Sequence, residues 1–269
     1  MDLDPGLAAL RPLGGFFLLR TAGAAHGALP TLADAYDAGR AGAHPDPLDV
    51  RVRRVAGAIR APEARVAASI AHQGLAARLW SVALGCAVLY GTLPDLDPGL
   101  LRWDPRGSAP DDLWLTALRP DPHASTAPGD HTRAAPQDLA RAVLDGHLHP
   151  LAAALRARHR LAPGLLRGNA ASALAGAGRH LQGWALAHDH PDAASRARAL
   201  TAALLAHPHL AGAGTPTGPA TGTPTGTPAG PQGFRRRSCC LYYRVPGGGV
   251  CGDCCFPRPP RSSPRAPSG

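Results

Sequence analysis

Residues 211–233 divide the chain. Five Pro, seven Gly, six Thr, four Ala and one Gln fill all 23 positions, with no charge and no large apolar side chain. Such a stretch cannot offset its ordering entropy by burial, so a disordered linker is expected there, spanning on the order of 25 Å if flexible. It leaves a body at 1–210, long enough to bury a core, and a compact segment at 234–256. A proline- and arginine-rich tail, 257–269, is expected to be disordered. Long insertions cost little. That favours a linker looping into solvent beside a docked segment over a tether that swings.

The body reads as mainly α, a helical domain with a minor β element. Phe16-Phe17-Leu18-Leu19 is the first strand candidate. Pro62 opens a long helix to about Tyr90, since proline has no N–H to lose in a first turn. Val66, Ile70, Leu79, Val82, Cys86 and Leu89 make its buried stripe. Ala67, Ala71, Gly74, Ala77 and Gly85 give it a small-residue side for another helix. Leu100–Trp103 and Leu113–Leu118 are expected to be short strands. Helices follow at about 137–147, 151–160 and 164–187, the last one begun by Pro163. Asp192 caps a final helix to about Ala206.

Composition excludes several functions. All 28 basic residues are arginine. A chain without lysine forms no lysine Schiff base and fills no P-loop lysine. Glu63 is the only glutamate, which removes the H-E-x-x-H zinc helix and glutamate-pair glycoside hydrolysis. Residues 1–233 carry 21 Arg and 18 acids, whereas 234–269 carry 7 Arg and one acid, Asp253. The basic end is rich in Pro and Gly rather than a recognition helix, so no nucleic-acid partner is expected. The longest uncharged apolar run, Leu79–Pro94, has 16 residues and is too short to span a membrane. The acidic start has no basic n-region, and a cytoplasmic location is expected. In a reducing compartment clustered cysteines point to metal or redox chemistry before disulfides.

Five of the six cysteines fall within 17 residues: Cys239-Cys240, ten residues, Cys251, two residues, then Cys254-Cys255. The C-x-x-C at 251 and 254 turns through Gly252 and Asp253 and suits one metal ion. Pro246-Gly247-Gly248-Gly249 reverses the chain, returning Cys251 toward the first pair. Structural zinc normally takes two C-x-x-C knuckles, and here one is replaced by a vicinal pair. Four thiolates also suit a [2Fe–2S] cluster. Spacing leaves iron–sulfur, zinc and redox-active thiols open.

The string from Arg235 through Cys240, Leu241-Tyr242-Tyr243-Arg244, Pro246 and Cys251 to Cys254 closely resembles the C-terminal signature of FhuF-type ferric siderophore reductases. The C-C-x10-C-x2-C spacing matches that signature residue for residue. Ala64 through Ser81 is similar to an upstream block of the family. Leu165-Leu166-Arg167-Gly168-Asn169-Ala170-Ala171-Ser172 is similar to a third block, with Arg167 in place of an aromatic. The resemblance implies a [2Fe–2S] cluster on Cys239, Cys240, Cys251 and Cys254, with Cys255 an extra thiol beside the last ligand. It implies an enzyme that reduces Fe(III) in a siderophore, of hydroxamate type, with electrons from a separate reduced donor. Arg235, Arg236, Arg237 and Arg244 are expected to offset the cluster's charge or dock that donor. The rival expectation is a non-catalytic metal-binding accessory protein of siderophore metabolism.

Arg65, His72 and Arg78 recur at steps of seven and six on the long helix. Together with Asn169, the only asparagine, they are candidates to contact the ferric chelate. A partly solvated helix face explains the first three as well, and a helix-surface hydrogen bond explains Asn169. The pairs His147/His149, His188/His190 and His207/His209 sit at helix ends, where composition and capping account for them better than metal binding. Cys86, alone in an apolar helix, reads as a buried small residue.

Overall fold

The computed structural model describes residues 3–4, 6–23, 26–37, 46–124, 133–218 and 233–260. Its axis is helix α3 (Ala64–Leu89), preceded by Glu63 in extended backbone rather than starting at Pro62. Eighteen of the 26 residues of α3 are buried, so neighbours enclose it rather than cover a single stripe. Its principal neighbour is α6 (Pro163–Ala187), and α7 (Pro191–Leu205) packs in turn on α6. Small residues bring these helices close: a Cβ on Gly178 would lie 2.2 Å from Thr201 Oγ1 of α7. Asp192 lies in the first turn of α7 instead of capping it, and His190 holds the cap position.

Among the described residues, two α-helices precede α3. Both have sequence signals that the apolar periodicity did not show. A reciprocal Thr31–Asp34 capping box opens α1 (Leu32–Tyr36). Asp46 accepts the Leu48 N–H at 2.8 Å to open α2 (Pro47–Ile59).

The β element is a three-stranded sheet. Strand β3 (Leu113–Leu115) lies between β1 (Arg20–Thr21), parallel to it, and β2 (Leu101–Trp103), antiparallel to it. The first strand is thus displaced from 16–19. Phe17 instead packs on α3, where Gly85 leaves room for its ring, and Phe16 stays 48% exposed in a turn.

The helices expected at 137–147 and 151–160 are one rod. It runs from α4 (Pro136–Leu139) through a π-helical stretch, Ala140–Leu148, into α5 (His149–His159). The His149 N–H reaches back five residues to the Leu144 carbonyl. Pro150, which has no N–H to give, falls where π geometry returns to α, so it does not break the rod.

Beyond α7 the chain forms β4 (Gly214–Thr217), antiparallel to β5 (Gly233–Arg236), with Gly214 opposite Arg236. Residues 214–217 of the expected linker therefore form a strand. Backbone pairing needs no large side chain, and at Gly214 the Phe234 ring occupies the space of a Cβ. Residues 219–232 and 261–269, where the remaining linker and most of the tail were expected, lie outside the described residues. Strand β5 leads into the cysteine segment. Among the described residues, no helix is long and apolar enough to cross a membrane.

Candidate metal centre

The cysteines are gathered against α3 and α6 by hydrogen bonds from both helices. Ser69 on α3 donates its hydroxyl to the Cys240 carbonyl at 2.8 Å. On α6, Ser172 and Arg179 bond to the Asp253 carboxylate at 2.6 and 3.0 Å. Ser238 bonds to the Gly164 carbonyl at 2.9 Å. Asp253, the one acid of the C-terminal segment, thus fixes the C-x-x-C turn to the helical body.

Side chains alternate across β5, which separates the three consecutive arginines. Arg235 and Arg237 point outward, while Arg236 is only 2% exposed. The Arg236 guanidinium bonds to Asn169 Oδ1 at 2.6 Å, and more weakly to the Leu165 carbonyl and Gln73 Oε1, each at 3.4 Å. Asn169 passes the network on, donating to the Ser69 carbonyl at 2.9 Å and hydroxyl at 3.1 Å. A buried path therefore runs Arg236–Asn169–Ser69–Cys240. Gly168 makes it possible: a Cβ there would lie 2.1 Å from Ser238 Oγ and 3.1 Å from Arg236 Nη2.

Among the described residues no carboxylate pairs with Arg236, and its Nε has no hydrogen-bond partner. A buried cation without a counter-ion is costly. Thiolates beside it supply the missing negative charge, so Arg236 fits an anionic cluster on the cysteines. The sulfur geometry agrees. Cys240 and Cys251 Sγ are 3.6 Å apart, and two thiolates at about 2.3 Å from one tetrahedral ion would be about 3.8 Å apart. Hydrogen bonds from Cys239 and then Cys251 push the Cys240 thiol down from its ordinary value, with a smaller pull from Arg236. Its two donors are pushed upward in turn, by that bond first and by burial second.

Backbone amides complete the sulfur environment. The Leu241 N–H donates to Cys239 Sγ at 3.2 Å, and the Phe256 N–H to Cys254 Sγ at 3.4 Å. Leu241 achieves this with a left-handed φ of 70°. Burial raises the Cys255 thiol, and the Cys255 carbonyl accepts from Arg235. Cys86 is buried within α3, where burial pushes its thiol up to about 12.

The four residues considered for the chelate are spread out. Asn169 is fully buried, its amide engaged as described. His72 is buried, with Nδ1 unpartnered, and burial lowers its pKa to about 3, Arg236 adding to the effect. Arg78 lies nine residues beyond Ser69, about 13 Å along the helix. It is spent on Asp112 at 3.1 Å and the Phe16 carbonyl at 2.7 Å. Arg65 is exposed and pairs with Glu63 at 2.7 Å, and Glu63 also holds Arg244 at 2.5 Å. Sequence reasoning gave Ser69, Ser172, Arg179 and Glu63 no role at the cysteines. Two of these carried a signal, Glu63 as the lone glutamate and Ser69 as a hydroxyl within an apolar helix.

Clustered thiols, amides aimed at sulfur and a buried arginine fit an anionic iron–sulfur cluster. Residues 236–256 match the model of the FhuF 2Fe-2S C-terminal domain, and the cofactor is the [2Fe–2S] cluster for which that domain is named. No curated protein matches the chain.

Proposed function

We propose that the protein is a cytoplasmic ferric siderophore reductase, which converts Fe(III) held by a hydroxamate siderophore into releasable Fe(II). The observation that carries this reading is the 2Fe-2S domain of FhuF type at 236–256. Bound through Cys239, Cys240, Cys251 and Cys254, the cluster supplies electrons one at a time, as reduction of Fe(III) to Fe(II) requires. Hard hydroxamate oxygens hold Fe(III) far more tightly than Fe(II), so one electron releases the ion.

The chain's own residues set the conditions. Arg236 places a fixed positive charge against the thiolates, and the Leu241 and Phe256 amides stabilise negative sulfur. Phe256 packs edge-on against Tyr243 beside the cysteines. Tyr242 and Val250, 36% and 38% exposed, offer an apolar rim to the chelate. Arg235 and Arg237 face solvent, where they attract an acidic electron donor. Arg244 is partly neutralised by Glu63. Asn169 acts as a positioning residue for Arg236.

Single-turnover reduction tests the proposal. Anaerobically reduced protein is mixed with one equivalent of a ferric hydroxamate siderophore beside an Fe(II) trap. Trapped Fe(II) appearing as the protein reoxidises supports the activity. Failure of every ferric chelate to reoxidise it leaves the accessory-protein reading.

A further inference from the structure

The histidine pairs, set aside on sequence grounds, acquire a meaning in three dimensions that their spacing conceals. Within a pair the two rings do different things. His147 is buried in the π-helical stretch, donating from Nε2 to the Leu96 carbonyl and accepting the Tyr36 hydroxyl at Nδ1. His149, two residues on, is exposed. Across pairs the rings meet. His149 and His209 lie with ring centroids 4.2 Å apart, and Asp145 Oδ1 is 3.3 Å from His149 Nδ1. One potential ligand atom from each of Asp145, His149 and His209 falls within 4.8 Å of the others, all three side chains exposed.

We propose that Asp145, His149 and His209 form a second metal site, for a divalent first-row transition ion of the Zn(II) or Fe(II) kind. Two imidazoles and one carboxylate are the ligand set such ions favour. Ligand atoms about 2.0–2.2 Å from an ion lie roughly 3–4 Å apart, which small side-chain rotations reach from the present positions. Two further features hold the ligands. Asp145 sits on the π-helical stretch that ends against His149, and π geometry within a helix often marks function. The turn carrying His209 is tied down by the Leu210 and Ala211 N–H groups on the His207 carbonyl, both at 2.8 Å. The His207 ring stacks on His209 and accepts its N–H at Nδ1, so His207 positions the loop.

Three protein ligands leave coordination positions open. His149 and His209 also line a cavity of about 350 Å³ with His72, Arg156 and Arg167. The two guanidinium groups there suit an anion completing the ion's shell. The site uses no cysteine and stands whether or not the protein reduces siderophores.

The test uses full-length, cluster-loaded protein, anaerobic, titrated with Co(II) alone. The proposal predicts one equivalent bound, with cobalt d–d bands and no thiolate-to-cobalt charge transfer. His149→Ala and His209→Ala should each weaken binding by more than about tenfold, leaving the cluster's visible spectrum unchanged. Asp145→Asn, which keeps the side-chain volume, should weaken it as well. Absence of Co(II) binding, equal binding by the variants, or a sulfur charge-transfer band would each overturn the assignment.

Discussion

Asn169→Ala discriminates between two roles for the only asparagine in the chain. The side chain is fully buried and makes three hydrogen bonds. Its bond to Arg236, at 2.6 Å, is charge-assisted and contributes about 1.5–3 kcal/mol. The two bonds to Ser69 contribute about 1 kcal/mol or less each, because the Ser69 hydroxyl keeps its contact with Cys240. Arg236 would be left with two acceptors at 3.4 Å, and a void the size of the lost amide would open between α3 and α6. A loss of about 3 kcal/mol follows. Denaturant unfolding of cluster-loaded protein should show it as a lower midpoint, and visible absorption should show faster cluster loss on dilution. The apparent KM for a ferric siderophore should stay near the wild-type value in whatever fraction keeps its cluster. A variant of wild-type stability with a raised KM would refute the reasoning and return Asn169 to the substrate.

Gly168→Ala places a methyl 2.1 Å from Ser238 Oγ, which must rotate away from the Gly164 carbonyl and loosen the cysteine segment on α6; limited proteolysis should cut it faster, and unchanged protection would contradict the packing. Arg236→Met removes the buried charge. At an effective dielectric near 20, a unit charge within about 10 Å of the cluster contributes on the order of 1–2 kcal/mol, so the potential should fall by several tens of mV. Arg235→Met, on the solvent side of β5, should move it far less, and equal shifts in redox titration would reject the inward–outward distinction. Stability should also fall in mild acid. His72 and His147 are buried, with pKa values lowered by burial to about 3 and about 4. Between those values and the unfolded value near 6.5 the unfolded chain binds more protons, so stability drops as pH falls through that window. At pH 5 the cost is about 2 kcal/mol per imidazole. A flat urea-midpoint profile from pH 7 to 5 would count against it.

Helices with long apolar stretches or a proline at the start, α3 and α6, were legible because local signals and burial agree. Helices α1 and α2 escaped because their evidence is in caps, Thr31–Asp34 and Asp46, rather than in periodicity. The break expected near Pro150 vanished because a π-helical stretch absorbs it, and no composition reports a change from i−4 to i−5 bonding. At the metal centre the thiols were readable from spacing, whereas their support was not. That Arg236 faces inward while Arg235 and Arg237 face outward depends on the register of β5 with β4, a strand whose small polar residues read as linker. Asn169, Ser69 and Cys240 come together only because Gly168 lets the segment approach α6. The meeting of His149 and His209 likewise depends on how the chain after α7 folds back.

The central claim, a two-iron cluster on the C-terminal thiols, is tested most directly by electron paramagnetic resonance of anaerobically purified, dithionite-reduced protein, with iron and acid-labile sulfide measured on the same sample. The account predicts a red-brown protein with about two irons and two sulfides per chain and one unpaired spin on reduction. A colourless, spin-silent protein carrying one zinc and no sulfide would contradict it.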